Sequence, residues 1–206
     1  MVLVFGASGL LKDRLLGGEP ADVFASASLE HPAAAPLAFA SNRLCVLAGS
    51  GFEANTDTLA TRLLDPAVRI GTSTPKADPA GDYTWAMFER IERQGRPGAF
   101  KTLADKALQL TGGPTSPPQP PGRNAYGALM AAGQADVFIT YCTNAVVAQA
   151  EEPGLRRIEL PTAANVSASY GITVMNGAPD AAGEFVAFLL GPAGQRLLAQ
   201  RGFAAP

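Results

Sequence analysis

Apolar and polar positions along the chain fall into alternating blocks. Short β-branched and aromatic runs are followed by stretches whose leucines, alanines and aromatics recur at helical spacing. Val2 to Phe5 is a run of β-formers, Gly6-Ala7-Ser8-Gly9 is a tight turn of small residues, and Leu10 to Leu16 places leucines on a helical period. Further strands are predicted over residues 21–26, 44–48, 68–71, 107–110, 135–141, 158–160 and 169–174. Helices are predicted over 58–64, 100–106, 123–134, 143–149, 181–190 and 194–200. Another starts at Asp78-Pro79: Asp78 suits the N-cap, Pro79 the first helical position, and Trp85, Phe88 and Ile91 follow at helical spacing. No internal repeat is visible.

Strands alternating with helices predict an α/β fold with largely parallel sheets. Ligands of such sheets sit beyond the carboxyl ends of the strands. Ser8, Ala80, Asn124-Ala125 and Tyr141 all fall at strand ends or helix starts. A strand, a small-residue turn and a helix together direct unpaired N–H groups at one spot, where the positive end of the helix dipole favours an anion. The same residues also read as ordinary helix caps, the commoner use of a serine at a helix start. None of them is a strong acid, base or activated nucleophile. The pattern therefore describes a binding site better than a catalytic one.

Composition narrows the classes. With 206 residues the chain is long enough for one domain or two small lobes. Net charge is −2 and there is no basic block, so nucleic acid is not an expected partner. No apolar run approaches a membrane span, and the N-terminus lacks the basic start and apolar core of a secretory signal. Taken alone, that start suits either a cytosolic protein or a chain that begins inside a longer product. Cys45 and Cys142 are too few and too far apart for a metal framework or a Cys-x-x-Cys motif. Two buried free thiols is the expectation, with pairing possible only if their Cα atoms approach closely in an oxidising compartment. His31, the single histidine, lies in a Pro/Ala-rich loop with no partner for a triad or zinc site. Residues 114–121 are proline-rich and predict a stiff extended loop.

With these residues placed, the sequence resembles the periplasmic molybdate-binding proteins of ABC importers, within the wider type II solute-binding class. The resemblance runs from residue 2 to Phe203. It rests on Phe5-Gly6-Ala7-Ser8-Gly9-x-Leu11, Gly18-x-Pro20-Ala21-Asp22-Val23-Phe24-Ala25-Ser26-Ala27, Phe39-Ala40-x-Asn42-Arg43-Leu44, Asp78-Pro79-Ala80-Gly81-x-Tyr83 and Gly133-x-Ala135-Asp136-x-x-Ile139-x-Tyr141. The closing Phe188-Leu189-Leu190-x-Pro192-x-Gly194-Gln195 with Gly202-Phe203 completes the set.

The resemblance implies a two-lobe, periplasmic-binding-protein-like α/β fold. Residues 1–43 and 169–206 would form lobe one and 44–168 lobe two, with the ligand held between them. It implies a non-enzymatic, monomeric periplasmic or extracellular receptor that needs no cofactor. Such a receptor binds molybdate or tungstate as a tetrahedral oxyanion and serves an ABC transporter permease. Carried over by residue, Ser8 would donate its hydroxyl and N–H, Ala80 and Ala125 their N–H groups, and Tyr141 its hydroxyl. Fixed N–H dipoles balance an anion without a cationic side chain, which agrees with the neutral character of these residues.

Three features depart from the family pattern. The opening strand and its Ala-Ala-Ser-Leu turn are absent and would precede Met1, together with a signal peptide. The 114–121 loop replaces the usual sequence before Ala125, and Asn144 stands where aspartate is common. The first suggests a fragment or a misassigned start and the other two a divergent subfamily, which keeps a receptor for another small anion open. The ligand-sensing domain of a transcriptional regulator stays open because the same two-lobe fold serves there.

Overall fold

A computed structural model of the chain describes residues 2–4, 8–26, 29, 35–113, 116 and 122–206. They divide into two compact units, residues 1–42 with 168–206 and residues 43–167. The chain passes between the units within two strands.

The smaller unit begins with α1 (Ser8–Leu16) and β1 (Val23–Ser26). β1 pairs antiparallel with β7 (Ser167–Val174), Val23 facing Val174 and Ser26 facing Gly171. The first half of β2 (Leu37–Ala48) and the helices α7 (Asp180–Leu190) and α8 (Pro192–Gln200) complete it. Its core is small: Phe39, Ala40, Ile172 and Val186 are buried, with Tyr170 and Phe203 packed around them. The rings of Phe39 and Phe203 each meet Tyr170 edge to face, at 6.3 and 5.5 Å between centroids. The C-terminus is tied down by reciprocal backbone hydrogen bonds between Ser41 and Ala204, both 2.8 Å.

The larger unit is a sheet covered on both faces. It contains the second half of β2, then α2 (Leu59–Leu64), β3 (Ile70–Ser73), α3 (Pro79–Arg93), α4 (Ala99–Lys106) and β4 (Ala107–Thr111). After these come α5 (Ala125–Ala131), β5 (Val137–Tyr141), α6 (Cys142–Glu151) and β6 (Arg156–Glu159). β3 lies between β4 and β5 and runs parallel to both. β2 pairs antiparallel with β5 on one side and with β6 on the other.

Because successive side chains of a strand point to opposite faces, β2 supplies two cores at once. Leu44, Val46 and Ala48 join Leu59, Leu63, Met87, Phe88, Ile91 and Leu103 of α2, α3 and α4. Cys45 and Leu47 join Met130, Cys142, Ala145 and Ala148 of α5 and α6. β5 does the same, with Val137 and Ile139 on one face and Phe138 on the other. A glycine opposite Phe138 is required: a Cβ on Gly71 would stand 2.5 Å from the Phe138 ring.

Three expectations are corrected. Val2, Leu3 and Val4 form no strand and are exposed; an apolar run becomes a strand only where a neighbouring ladder receives it, and composition does not supply one. The sheets are mixed instead of largely parallel, because β2 enters antiparallel to β5 and β6. Cys45 and Cys142 are not free thiols but a disulfide, with their Cα atoms 4.8 Å apart and a sequence separation of 97. The antiparallel β2–β5 register pairs Cys45 with Thr140, and Cys142, two residues on and on the same face, comes within bridging reach as the chain turns into α6. The 5–7 turn, His31 and residues 114, 115 and 117–121 of the proline-rich loop lie outside the described residues.

At the edge where β3 and β5 begin, Arg69 and Asp136 fasten the two strands. The Arg69 guanidinium donates to Asp136 Oδ1 at 2.7 Å, and its backbone N–H to Oδ2 at 2.8 Å. The hydrogen bond from the Arg69 side chain, opposed by partial burial, holds the Asp136 carboxyl below its ordinary range. A carboxyl whose pKa is depressed by folding stabilises the fold above the ordinary carboxylate pKa and loses that contribution as pH falls through the depressed value. Urea unfolding of Asp136→Asn is therefore expected to show a lower midpoint than the unaltered protein at pH 7, with the two converging in acid. Equal midpoints at pH 7 would remove the pair from the stability of the fold.

Candidate functional site

Since β3, β4 and β5 are parallel, their carboxyl ends emerge along one edge of the larger unit, and the loops leading to α3, α5 and α6 start there. β2 brings Leu44 to the same edge, opposite Tyr141. Ala80, Ala125 and Tyr141, the three expected donors in this unit, occupy the first turns or the cap of those three helices. Ser8 belongs to the smaller unit and opens α1; its side chain lies outside the described atoms.

The strand ends are joined by hydroxyls. Ser73 Oγ and Thr111 Oγ1 lie 2.9 Å apart in a buried contact, and the Thr74 N–H and hydroxyl both donate to the Thr111 carbonyl at 2.9 Å. Gly81 lets the Thr74-Pro75 backbone approach the helix start: a Cβ there would meet Thr74 C at 2.5 Å. This close packing places the loop over the first turn of α3.

Ala80 is buried, and its N–H donates to Asp78 Oδ1 at 2.9 Å. The cap and the anion donor, each legible in the sequence, thus compete for one N–H. Asp78 also packs on Gly112, where an added Cβ would come within 2.5 Å of Asp78 Oδ2. Its carboxylate consequently stands at the very helix start expected to receive an anion.

Ala125 begins α5 behind Asn124, whose Oδ1 accepts from the Gly127 N–H at 3.0 Å. The Asn124 N–H donates to Glu151 Oε2 at 2.7 Å, and Arg123 pairs with Glu152, so the start of α5 is fastened to the end of α6. Asn144, in the first turn of α6, donates through Nδ2 to Thr140 Oγ1 at 3.2 Å. This amide is a neutral anchor where an aspartate would add a negative charge.

Tyr141 ends β5 and caps α6 with extended backbone, and it makes no side-chain cap hydrogen bond. Its half-buried ring meets Tyr83 of α3 edge to face, at 6.0 Å between centroids. The Tyr83 contact, the hydroxyl junction of β3 with β4 and the disulfide at Cys142 were not among the expected site features. The nearest sequence signal was that a cysteine directly follows the tyrosine.

The arrangement offers backbone N–H groups, hydroxyls and amides, together with the carboxylates of Asp78 and Asp82 at the start of α3 and of Glu151 at the start of α5. The cluster Cys45, Cys142 and Glu159 brings candidate metal-binding atoms within 4.8 Å of one another, but sulfurs joined as a disulfide are not thiolate ligands. At the opposite edge, where β3 and β5 begin, an open hollow of about 400 Å³ is lined by Gly49, Ser50, Phe52, Arg62 and Arg69 among others. Both arginines are engaged there, by Asp65 and Asp136.

Comparison with known proteins bears on the family and the fold. The profile of the bacterial extracellular solute-binding proteins matches residues 1–204. Protein PM1146 of Pasteurella multocida is 38% identical over 175 residues, covering 81% of this chain and 72% of its own length. The molybdate-binding protein ModA of Mycobacterium tuberculosis is 28% identical over 213 residues, covering 98% of this chain and 72% of its own. A solved substrate-binding domain from Clostridium difficile superposes with a TM-score of 0.74 at 20% identity, covering 100% of this chain and 86% of that one. The fold is that of the periplasmic binding proteins. A match along nearly the whole chain, and a relative at more than a third identity, make this protein a member of the bacterial extracellular solute-binding family.

Proposed function

We propose that the chain is the solute-binding component of an ABC importer, that it binds a tetrahedral oxyanion of the molybdate or tungstate type, and that it delivers this ligand to a transporter permease. The observation that carries the reading is the shared edge of β3, β4 and β5. There three helix starts present neutral donors, and the residues expected to bind, Ala80, Ala125 and Tyr141, all fall. Helix N-termini hold anions through fixed N–H dipoles that need no reorganisation. The whole-length likeness to a molybdate-binding protein supports the choice of anion. Ser8 is the further donor that this reading assigns.

Asp78 favours a second reading, a receptor for a different small anion. A carboxylate hydrogen-bonded to the Ala80 N–H repels a dianion arriving at that helix start, whereas a ligand bearing its own proton could donate to it.

Titration calorimetry of the protein with molybdate, tungstate, sulfate and phosphate tests both. The expected result is binding of molybdate and tungstate. A response to phosphate alone selects the second reading, and no heat with any of the four overturns the oxyanion assignment. Ser8→Ala and Tyr141→Phe are each expected to weaken molybdate binding by roughly 1–3 kcal/mol, the cost of leaving a buried partner unsatisfied. Unchanged affinity in both would move the site elsewhere.

Asp78→Asn retains a capping oxygen but removes the charge. It is expected to tighten molybdate by about 1 kcal/mol or more, the interaction of unit charges 4 Å apart even in a water-like dielectric. An unaltered dissociation constant would show that Asp78 acts as a cap alone.

A further inference from the structure

The ladder between β2 and β5 ends at the pair Leu44 and Tyr141. That pair included, the two strands are secured by five paired positions, and the β2 members, Leu44 to Ala48, are fully buried. Leu44 is also held on its other side by the side-chain amide of Asn165, which accepts from the Leu44 N–H at 3.1 Å and donates to its carbonyl at 3.2 Å. Beyond Tyr141 the ladder offers nothing more. The chain turns at once into α6, whose start carries no side-chain cap. The next residue, Cys142, is covalently bound to Cys45, the neighbour of Leu44. Both cysteines are buried among Leu47, Met130, Phe138 and Ala145.

The geometry points to the Cys45–Cys142 disulfide as a positioning element for Tyr141. The bridge takes over where backbone pairing stops, and it fixes the residue following the tyrosine to the strand that pairs with the tyrosine itself. A bridge whose only role was to shorten the unfolded chain could join β2 to β5 or α6 anywhere along their contact. Here it sits at the one step where the expected ligand side chain leaves the sheet, while Tyr83 packs on the ring. The consequence for affinity rests on the proposal that Tyr141 contacts the oxyanion, and the pinning of the backbone does not.

The test compares the unaltered protein with the Cys45→Ala/Cys142→Ala double variant, each with Tyr141 and with Tyr141→Phe. Circular dichroism first verifies that each is folded. Amide hydrogen exchange in the absence of ligand is expected to accelerate over residues 141–144 in the double variant, with protection of residues 45–48 and 137–140 retained. Molybdate affinity is expected to fall about tenfold on removing the bridge when Tyr141 is present, and by less than about twofold in the Tyr141→Phe background, because the two changes act through one contact.

Equal exchange at 141–144 would overturn the proposal. So would a lower unfolding temperature with the same molybdate affinity, or the same loss of affinity in both backgrounds. Unaltered protein treated with a phosphine gives a second route to the open form. The disulfide takes up two electrons and two protons to give two thiols, while the phosphine becomes its oxide with oxygen from water. Freed of reductant under inert gas, this form is expected to match the double variant and to recover on reoxidation. Loss of the folded state in both open forms would make the bridge a staple of the fold and overturn its positioning role. If the unaltered protein binds none of the four anions, the functional proposal fails on its own, and the exchange measurement still decides the pinning.

Discussion

The larger unit depends on one constraint: β2 must be apolar at every position from Leu44 to Ala48, because helices cover the sheet on both faces. A strand with one wet face would alternate apolar and polar residues. This one does not, and its two sets of side chains nucleate two separate cores. Burying a leucine- or valine-sized side chain is worth roughly 1.5–3 kcal/mol, so these five residues with their partners Val137, Phe138 and Ile139 form a large part of the driving force for that unit. Their burial aligns β5 against β2, and β5 aligns β3 and β4. The shared edge where three helices start follows from that order.

The chemistry is distributed in keeping with the same order. At the edge where β3 and β5 begin, full charges are paired: Arg69 with Asp136 and Arg62 with Asp65. Lys106, whose pKa burial lowers, donates there to the Leu63 and Asp65 carbonyls. At the opposite edge, where the strands finish, hydroxyls, amides and helix N-termini stand beside the carboxylates of Asp78, Asp82 and Glu151. Neutral dipoles suit reversible capture of a mobile anion, since a buried cation left unpaired whenever the ligand departs would be costly. The family's role as extracellular carriers requires that reversibility.

The disulfide belongs with that setting. Bridges of this kind persist in oxidising compartments outside the cytosol, and one that closes a 97-residue separation falls where chain-entropy arguments give several kcal/mol of stabilisation. It also joins buried β2 to the first turn of α6, at the edge where the parallel strands finish.

The order and type of the helices and of seven strands were legible in the sequence, because period-2 and period-3.6 patterns are local and the caps Asp78 and Asn124 announce their helices. The family was legible too, through short motifs spread along the chain. What the sequence could not decide is everything that depends on which segments become neighbours. Val2 to Val4 have the composition of a strand but no ladder in the structure, and β2 runs against β5, so the sheet is mixed. Cys45 and Cys142, indistinguishable from two separate buried thiols by spacing, bond because register pairs Cys45 with Thr140 and the chain turns into α6 two residues later. Asp78 and Ala80 could each be assigned a role from sequence, and only the folded loop shows that both roles use the same N–H. Local pattern is encoded within a few residues. Register, strand direction and competition for a shared donor arise only when distant segments pack, and those were the features that tertiary structure decided.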